Sequence, residues 1–345
     1  MESACPMAMW LMPWLRADQP WWGWAALLCV PALALCVDHR WGEPPLRWHP
    51  VVWMGRALQW WGERVAPLAP PSGPAVARDL RRFWLGASVW IALAAMVLIV
   101  SMVVQHALYL LPGAAAAVLL ALVLKPLLAW RMLREEVLAV EAALGESLGA
   151  GRTHLARLVS RDVSALSAGE VRESAIESLA ENLNDSVVAP LFWFALAGLP
   201  GAALYRFANT ADAMWGYPGM RSGRYWQWAG KWAARADDVM SWVPARITAA
   251  LLALAARGLP LRPLAHEAGK TPSPNSGWPM AAMALALGVR LAKPGVYVLH
   301  SHGRVPDATD MRRAVRVAQG GLTALLPMLA ALQGLVWVLA GKVLA

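Results

Sequence analysis

Apolar residues run in long blocks along this chain, and between the blocks charges, amides, prolines and glycines crowd together. From Phe83 to Leu124 there is no formal charge, and only Leu111-Pro112-Gly113 interrupts the run. That pattern predicts two antiparallel helices, at about 83–111 and 114–130, that cross a bilayer. Similar blocks predict a first membrane helix at about 21–37, kinked by Pro31, and a last one at about 317–341, kinked by Pro327.

The stretch between them reads differently. Arg131 to Gly149 repeats with a helical period, placing Glu135, Glu136 and Glu141 on a solvent side, and should stop at Gly149-Ala150-Gly151. A second helix is expected from Thr153 to about Ser160. Ser167, three residues before Glu170, predicts a capping box that starts a longer helix. Together these form a cytoplasmic helical segment, 131–185.

Ser186 to Tyr205 is uncharged but carries Pro190 and a Gly198-Leu199-Pro200-Gly201 break. If it spanned, Asp185 and Asp212 would lie on opposite sides of the bilayer. Arg206, Arg221, Arg224, Lys231 and Arg235 would then follow on the outside, against the positive-inside rule. The expectation is therefore a re-entrant hairpin at about 186–208, lining a cavity on which Asp185, Asn209 and Asp212 converge. The fold class that follows is all-α: a polytopic integral membrane protein with kinked and re-entrant helices, one domain over 1–345, and a cytoplasm-facing polar site.

Composition supports this. The chain is 58% hydrophobic and 15% charged, with a mean hydropathy of +0.43. Its length therefore counts helices, not soluble domains. The net charge of +9 is scattered between apolar runs and forms no tract, which argues for anionic lipid and phosphorylated substrates and against nucleic acid. Arg78, Arg81 and Arg82 flank one end of the uncharged pair of helices, and Lys125, Arg131 and Arg134 the other, so both ends face the cytoplasm. Cys5, Cys29 and Cys36 lack metal-ligand spacing and predict no disulfide framework.

The candidate chemistry is concentrated between Glu173 and Arg246. Glu177, Glu181 and Asp185 recur at helical spacing, with Asn182 and Asn184 beside them. Like charges on one face repel, and a metal or a cationic ligand relieves them. Asn209 with Asp212 forms a second polar pair, and Asp237 with Asp238 a third cluster near Lys231 and Arg235. Arg246 is either a snorkelling anchor or a phosphate ligand. The loop from Thr271 to Gly277, with Ser273 and Asn275, offers hydroxyls, amides and backbone N–H groups to an anion. No Walker A loop is present.

The blocks ESLAENLNDSVVAPLFW, YRFANTADAMWGY, ARADDVMSWVPAR and TPSPNSGW, after DHRWGEPPLRWHPVVWMG, resemble the cobalamin-biosynthesis family CbiB/CobD, the adenosylcobinamide-phosphate synthases, in order from about Val37 to Val298. The resemblance implies a multi-pass enzyme of the bacterial inner membrane. It would join aminopropanol or its phosphate to a carboxylate of the corrinoid adenosylcobyric acid, using ATP and Mg2+, with membrane lipid around it and other membrane enzymes of late cobalamin assembly as partners. Glu181, Asp185, Asn209, Asp212 and Lys231 become the expected catalytic residues. Arg235, Arg246, Ser273, Asn275 and His49 are the expected cofactor-binding set, and Glu181, Asp212, Asp237 and Asp238 the metal ligands. Asp38 and Glu43 join the site candidates. Glu43 stands where the family pattern has Asp, and Met280 where it has Glu, and Lys293-Pro294-Gly295 replaces a Gly-Gly-Pro-Asn stretch. Those departures keep open an alternative, an AmpE-like non-catalytic sensor or scaffold. Trp48, Trp53, Trp215 and Trp278 are candidate platforms for a flat macrocycle, or simply interfacial anchors.

Overall fold

The computed structural model describes residues 27–70 and 78–344, so the part of the first predicted membrane helix before Leu27 lies outside the described residues. The described chain is mostly helical. Five stretches are long and apolar enough to cross a membrane: Leu80–Tyr109, Gly113–Glu146, Ala168–Trp215, Lys231–Ala255 and Ala308–Leu339. Two small antiparallel hairpins, β1 (Met220–Arg221) with β2 (Arg224–Tyr225) and β3 (Leu291–Lys293) with β4 (Tyr297–Leu299), are additions that the sequence pattern did not announce.

The chain divides into two compact units. One takes in the described residues up to Leu128, then Pro190–Met240 and the chain from Ala330; the other holds Ala129–Ala189 and Ser241–Leu329.

In the first unit, α1 (Val30–Trp41), α2 (Pro50–Val65), α3 (Leu80–Tyr109) and α4 (Gly113–Leu124) come in sequence, followed by most of α8 (Ala189–Trp215) and the start of α9 (Lys231–Ala255). Leu58 and Val65 of α2, Trp90 and Leu93 of α3, and Phe207 and Trp215 of α8 share one apolar core with Trp226 and Ala233. Trp215 stacks on Trp226 at 5.7 Å between ring centroids, and its indole N–H donates to the Leu58 carbonyl at 3.2 Å. Gly86 lets α3 close on the backbone of Ala229, whose carbonyl oxygen would lie 2.0 Å from an added Cβ.

The helical path of α8 is broken at Ala197 (φ −135°) and Gly198 (φ 64°, ψ −154°). The second angle pair is one that only glycine adopts at low cost. Pro200 then opens the following segment, where its missing N–H is no loss. The Leu199 N–H freed by the break donates to Gln105 Oε1 of α3 at 2.7 Å, both residues being buried. A backbone break among apolar helices persists only with such a partner.

In the second unit, α5 (Trp130–Glu146), α6 (Leu148–Leu155) and α7 (Ala168–Leu183) pack together. Two expectations need correction here. The break after α5 falls at Ser147, whose Oγ accepts from the Ala150 N–H at 3.0 Å as an N-cap, while Gly149 and Gly151 lie inside α6; a local cap outcompeted glycine as the punctuation. Glu141 is not a plain solvent-side acid either, since the Arg172 guanidinium of α7 grips both its oxygens, at 2.7 and 2.8 Å. The capping box at Ser167 and Glu170 forms as its spacing predicts. The unit is completed by α10 (Leu261–Ala268), α11 (Gly277–Leu287), the β3–β4 hairpin and the first part of α12 (Ala308–Leu344).

Between α7 and α8 lies a π-helical turn, Asn184–Val188. One wide turn of this kind rotates every later position relative to an unbroken helix. The positions after Val188 therefore leave the register that Glu177 and Glu181 share within α7.

Candidate functional site

Both units carry buried charge. In the first, α1 ends at Gly42 (φ 65°), whose N–H donates to the Asp38 carbonyl. Two prolines and a short 3-10 turn (Leu46–Trp48) then bring the chain to His49, and Pro50 opens α2. This irregular path, imposed by residues that cannot continue a helix, sets Glu43 and His49 beside Lys125 at the end of α4. Lys125 is 3% exposed and lies 3.4 Å from Asp38 and 3.1 Å from Glu43. His49 Nε2 is 3.0 Å from Glu43 Oε2. His49 Nδ1 and Glu43 Oε1 are buried with no hydrogen-bond partner among the described residues. Burial works to raise the Glu43 carboxyl, but His49 and Lys125 together outweigh it and hold it below the usual glutamate value.

Further along this unit, Asn209 Nδ2 of α8 reaches Asp237 Oδ1 of α9 at 3.4 Å, and Arg206 Nη1 reaches Asn209 Oδ1 at the same distance. Asp212 lies within electrostatic reach of Arg221, which rests over the Tyr217 ring at 3.4 Å. Lys231 sits 4.4 Å over the Trp228 ring. Asp238 is half-buried in α9 and Arg235 is exposed. Trp215, offered above as a macrocycle platform, is a core residue at 1% exposure, whereas Trp48 and Trp53 are exposed.

The second unit holds the acidic face of α7. Glu173, fully buried, pairs with Arg290 at 2.8 Å. Glu177, 4% exposed, pairs with Arg161 at 3.2 Å, and Arg161 also donates to Ser174 Oγ. Glu177 and Glu181 line a cavity of about 160 Å³ with Arg161, Asn182, Lys293 and Tyr297. Burial, and then the negative charge of Glu177 and Glu181, pushes the Tyr297 phenol well above its ordinary range. In the π-turn, Asn184 donates to Asp185 Oδ1 at 2.8 Å and accepts from the Thr248 hydroxyl at 3.0 Å.

Arg246 donates to Asn275 Oδ1 at 2.6 Å and to the carbonyls of Trp242 and Pro274, between the rings of Trp242 and Trp278 at 4.7 and 4.9 Å. The backbone N–H groups of Asn275 and Ser276 both donate to Ser273 Oγ at 3.2 Å. Arg246, Ser273 and Asn275 thus come together as the clamp that shapes the 271–277 loop. Charge reading alone passed over three residues of these clusters. Lys125 looked like a flanking cation, although its place between Leu124 and Pro126 was a signal of burial. Arg290 and Tyr297 carried no local signal, because only the tertiary fold returns β3 and β4 to α7.

Among the described residues no three His, Cys, Asp or Glu side chains gather in a way that could hold a metal ion. A divalent ion that arrives on substrate phosphates needs only one or two protein carboxylates.

A helical chain with five membrane-length apolar stretches, buried ion pairs and a small polar cavity is a multi-pass membrane protein built around polar chemistry. Comparison with known families then places it: the family model described as CobD/Cbib protein matches residues 31–318, and the chain belongs to that family. It is 38% identical over 313 residues to a protein of Methanothermobacter thermautotrophicus named "Probable cobalamin biosynthesis protein CobD", covering 88% of this chain and 96% of the relative. It is 38% identical over 304 residues to the cobalamin biosynthesis protein CobD of Brucella suis (83% and 88% covered). With that of Chromobacterium violaceum it shares 39% over 313 residues (84% and 91%). No solved structure matches.

Proposed function

We propose that the protein acts in cobalamin biosynthesis, forming the amide bond between a carboxylate of adenosylcobyric acid and aminopropanol or its phosphate at the expense of ATP. The observation that carries this reading is family membership across residues 31–318, a span that includes every charged cluster described above. In the reaction, a phosphate of ATP is transferred to the corrin carboxylate. The amine nitrogen then attacks the acyl carbon, the activating phosphate leaves with the C–O bond electrons, and the nitrogen loses a proton. Asp237, held by Asn209, and Asp212 and Asp238 are the acids that would take the Mg2+ carried on ATP, and Lys231 and Arg235 are the cations that would offset phosphate charge. Arg246, its donors committed to the 271–277 loop, acts by shaping that loop. His49, paired through Nε2 with Glu43, is a candidate proton acceptor at Nδ1. The site faces the cytoplasm, where ATP is found.

The test is an assay of detergent-purified protein with adenosylcobyric acid, ATP, magnesium and either amine. Wild type should give the amide, and Asp212→Asn and Asp237→Asn should each lower kcat by about 10²-fold or more. Folded protein that binds corrinoid yet forms no product with either amine would overturn the reading.

A further inference from the structure

The buried charges around Lys125 leave one atom of His49 unanswered. Its Nδ1 is buried with no hydrogen-bond partner among the described residues, and a polar atom so placed costs free energy until a partner arrives. The residue is held on two sides. Its carbonyl accepts from the N–H groups of Val52 and Trp53 at the start of α2, at 3.0 and 3.2 Å, and its Nε2 lies 3.0 Å from Glu43 Oε2. Lys125 Nζ lies 3.1 Å from that same oxygen and 3.4 Å from Asp38 Oδ1. The donors present decide where the hydrogens are. A lysine ammonium only donates, so the Glu43 oxygen beside it can only accept; the other oxygen, Oε1, has no partner to which a proton could point. Nε2 must then bear the ring hydrogen, and in a neutral imidazole Nδ1 is left with its lone pair. In keeping with this, His49 and Lys125 hold the Glu43 carboxyl below the usual glutamate value against the opposing effect of burial. Two carboxylates meet one ammonium here, so the cluster carries a surplus negative charge that a proton arriving on His49 cancels. Pro50, Trp53 and Leu127, neighbours of His49 and Lys125 in the chain, line an apolar cavity of about 340 Å³. Beside such a wall, contact between charges is stronger than in water.

We propose that Glu43 and Lys125, with Asp38 behind them, are positioning residues that hold His49 in the tautomer whose Nδ1 takes the proton of the attacking amine. This rests on the function proposed above, in which the amine nitrogen loses a proton. As the nitrogen–carbon bond forms and the bond from the acyl carbon to the activating phosphate breaks, the N–H electrons stay on the amine nitrogen and its proton moves to Nδ1. The imidazolium so formed is stabilised by the ionised Glu43, the arrangement by which a buried carboxylate orients a histidine base. It gives its proton to solvent once product has left. Lys125, 3% exposed, acts through Glu43: it keeps the carboxylate ionised and so keeps the ring hydrogen on Nε2.

The amide assay on the full-length detergent-solubilised protein tests this as a double-mutant cycle. His49→Ala should lower kcat by about 10²-fold. Glu43→Gln should lower kcat at least tenfold with KM for ATP within twofold of wild type, and Glu43→Asp, which keeps the charge, should lose less. Lys125→Met combined with Asp38→Asn, a pair that strands no second acid, should also lose at least tenfold. Added to His49→Ala, neither change should cost more than a further twofold, because both act through a ring that is gone; a merely structural role would lower activity further. Nitrogen-15 NMR of histidine-labelled protein in alkaline buffer, with His49→Ala identifying the signal, should show hydrogen on Nε2 and none on Nδ1. Three results would overturn the proposal: kcat within twofold of wild type in folded Glu43→Gln or in the folded Lys125 and Asp38 pair, losses that add to that of His49→Ala, or a neutral ring with its hydrogen on Nδ1. The spectrum separates this from the ligase reading. The expected tautomer in a wild type that makes no amide sinks the ligase and leaves the orientation of His49 standing. Amide from wild type with additive losses in the cycle sinks the positioning role and leaves the ligase.

Discussion

Lys125 is 3% exposed, and an ammonium so placed is tolerable only with the acids beside it. Removing it alone leaves the buried Asp38 and the half-buried Glu43 as like charges without that ammonium, so Lys125→Met should destabilise the solubilised protein by about 3–5 kcal/mol. The triple change with Asp38→Asn and Glu43→Gln should recover much of that in denaturant unfolding. A single variant as stable as wild type would show that the cluster is solvated. The same cluster has a pH signature. Because the folded Glu43 carboxyl lies below its usual value, its contribution is fully present above the unfolded glutamate pKa of about 4.3. It is lost as the pH falls through the lower folded value. The Tm gap between wild type and Glu43→Gln should therefore be constant from pH 5 to 7 and shrink below pH 4. A gap that persists undiminished at pH 3 contradicts this.

Among the elements, α8 depends on its break. Gly198→Ala puts a Cβ on a backbone at φ 64°, ψ −154°, and a cost of about 1–3 kcal/mol is expected. Gln105→Leu should cost a similar amount, about 1–3 kcal/mol, by orphaning the Leu199 N–H. Both are measurable as shifts in thermal unfolding; a silent Gln105→Leu would mean that the break finds another acceptor. This break was legible in the sequence, since glycine and proline two residues apart in an apolar run leave few other conformations. So was the cap at Ser167, a matter of three-residue spacing. The π-turn was not, because nothing in Asn184–Val188 distinguishes a wide turn from an ordinary one by composition. Nor was the pairing of Glu141 with Arg172 or of Glu173 with Arg290, where each partner alone reads as a surface charge.

For the whole molecule, the basic loops set the expected orientation. In a background without native cysteines, Ala165→Cys and Ser222→Cys should react with an impermeant maleimide only after spheroplasts are lysed. Labelling of Ser222→Cys in intact spheroplasts, with Ala165→Cys protected, would put the two ends of Ala168–Trp215 on opposite faces. The general layout of apolar helices and the segment that gathers charge could be read from the chain, because hydropathy and spacing are local. The grouping of acids with bases was out of reach, because it joins residues from 16 to 117 positions apart that only the tertiary fold brings together. The pair of Asp38 and Lys125 carries one more consequence, for biogenesis. Asp38 leaves the ribosome about 90 residues ahead of its partner, which at about 5–20 residues per second is a delay of roughly 5–20 s. During that interval α1 holds an acid that lipid rejects. If α1 enters the bilayer as its sequence predicts, it is expected to do so together with α4 and not in the order the two are synthesised.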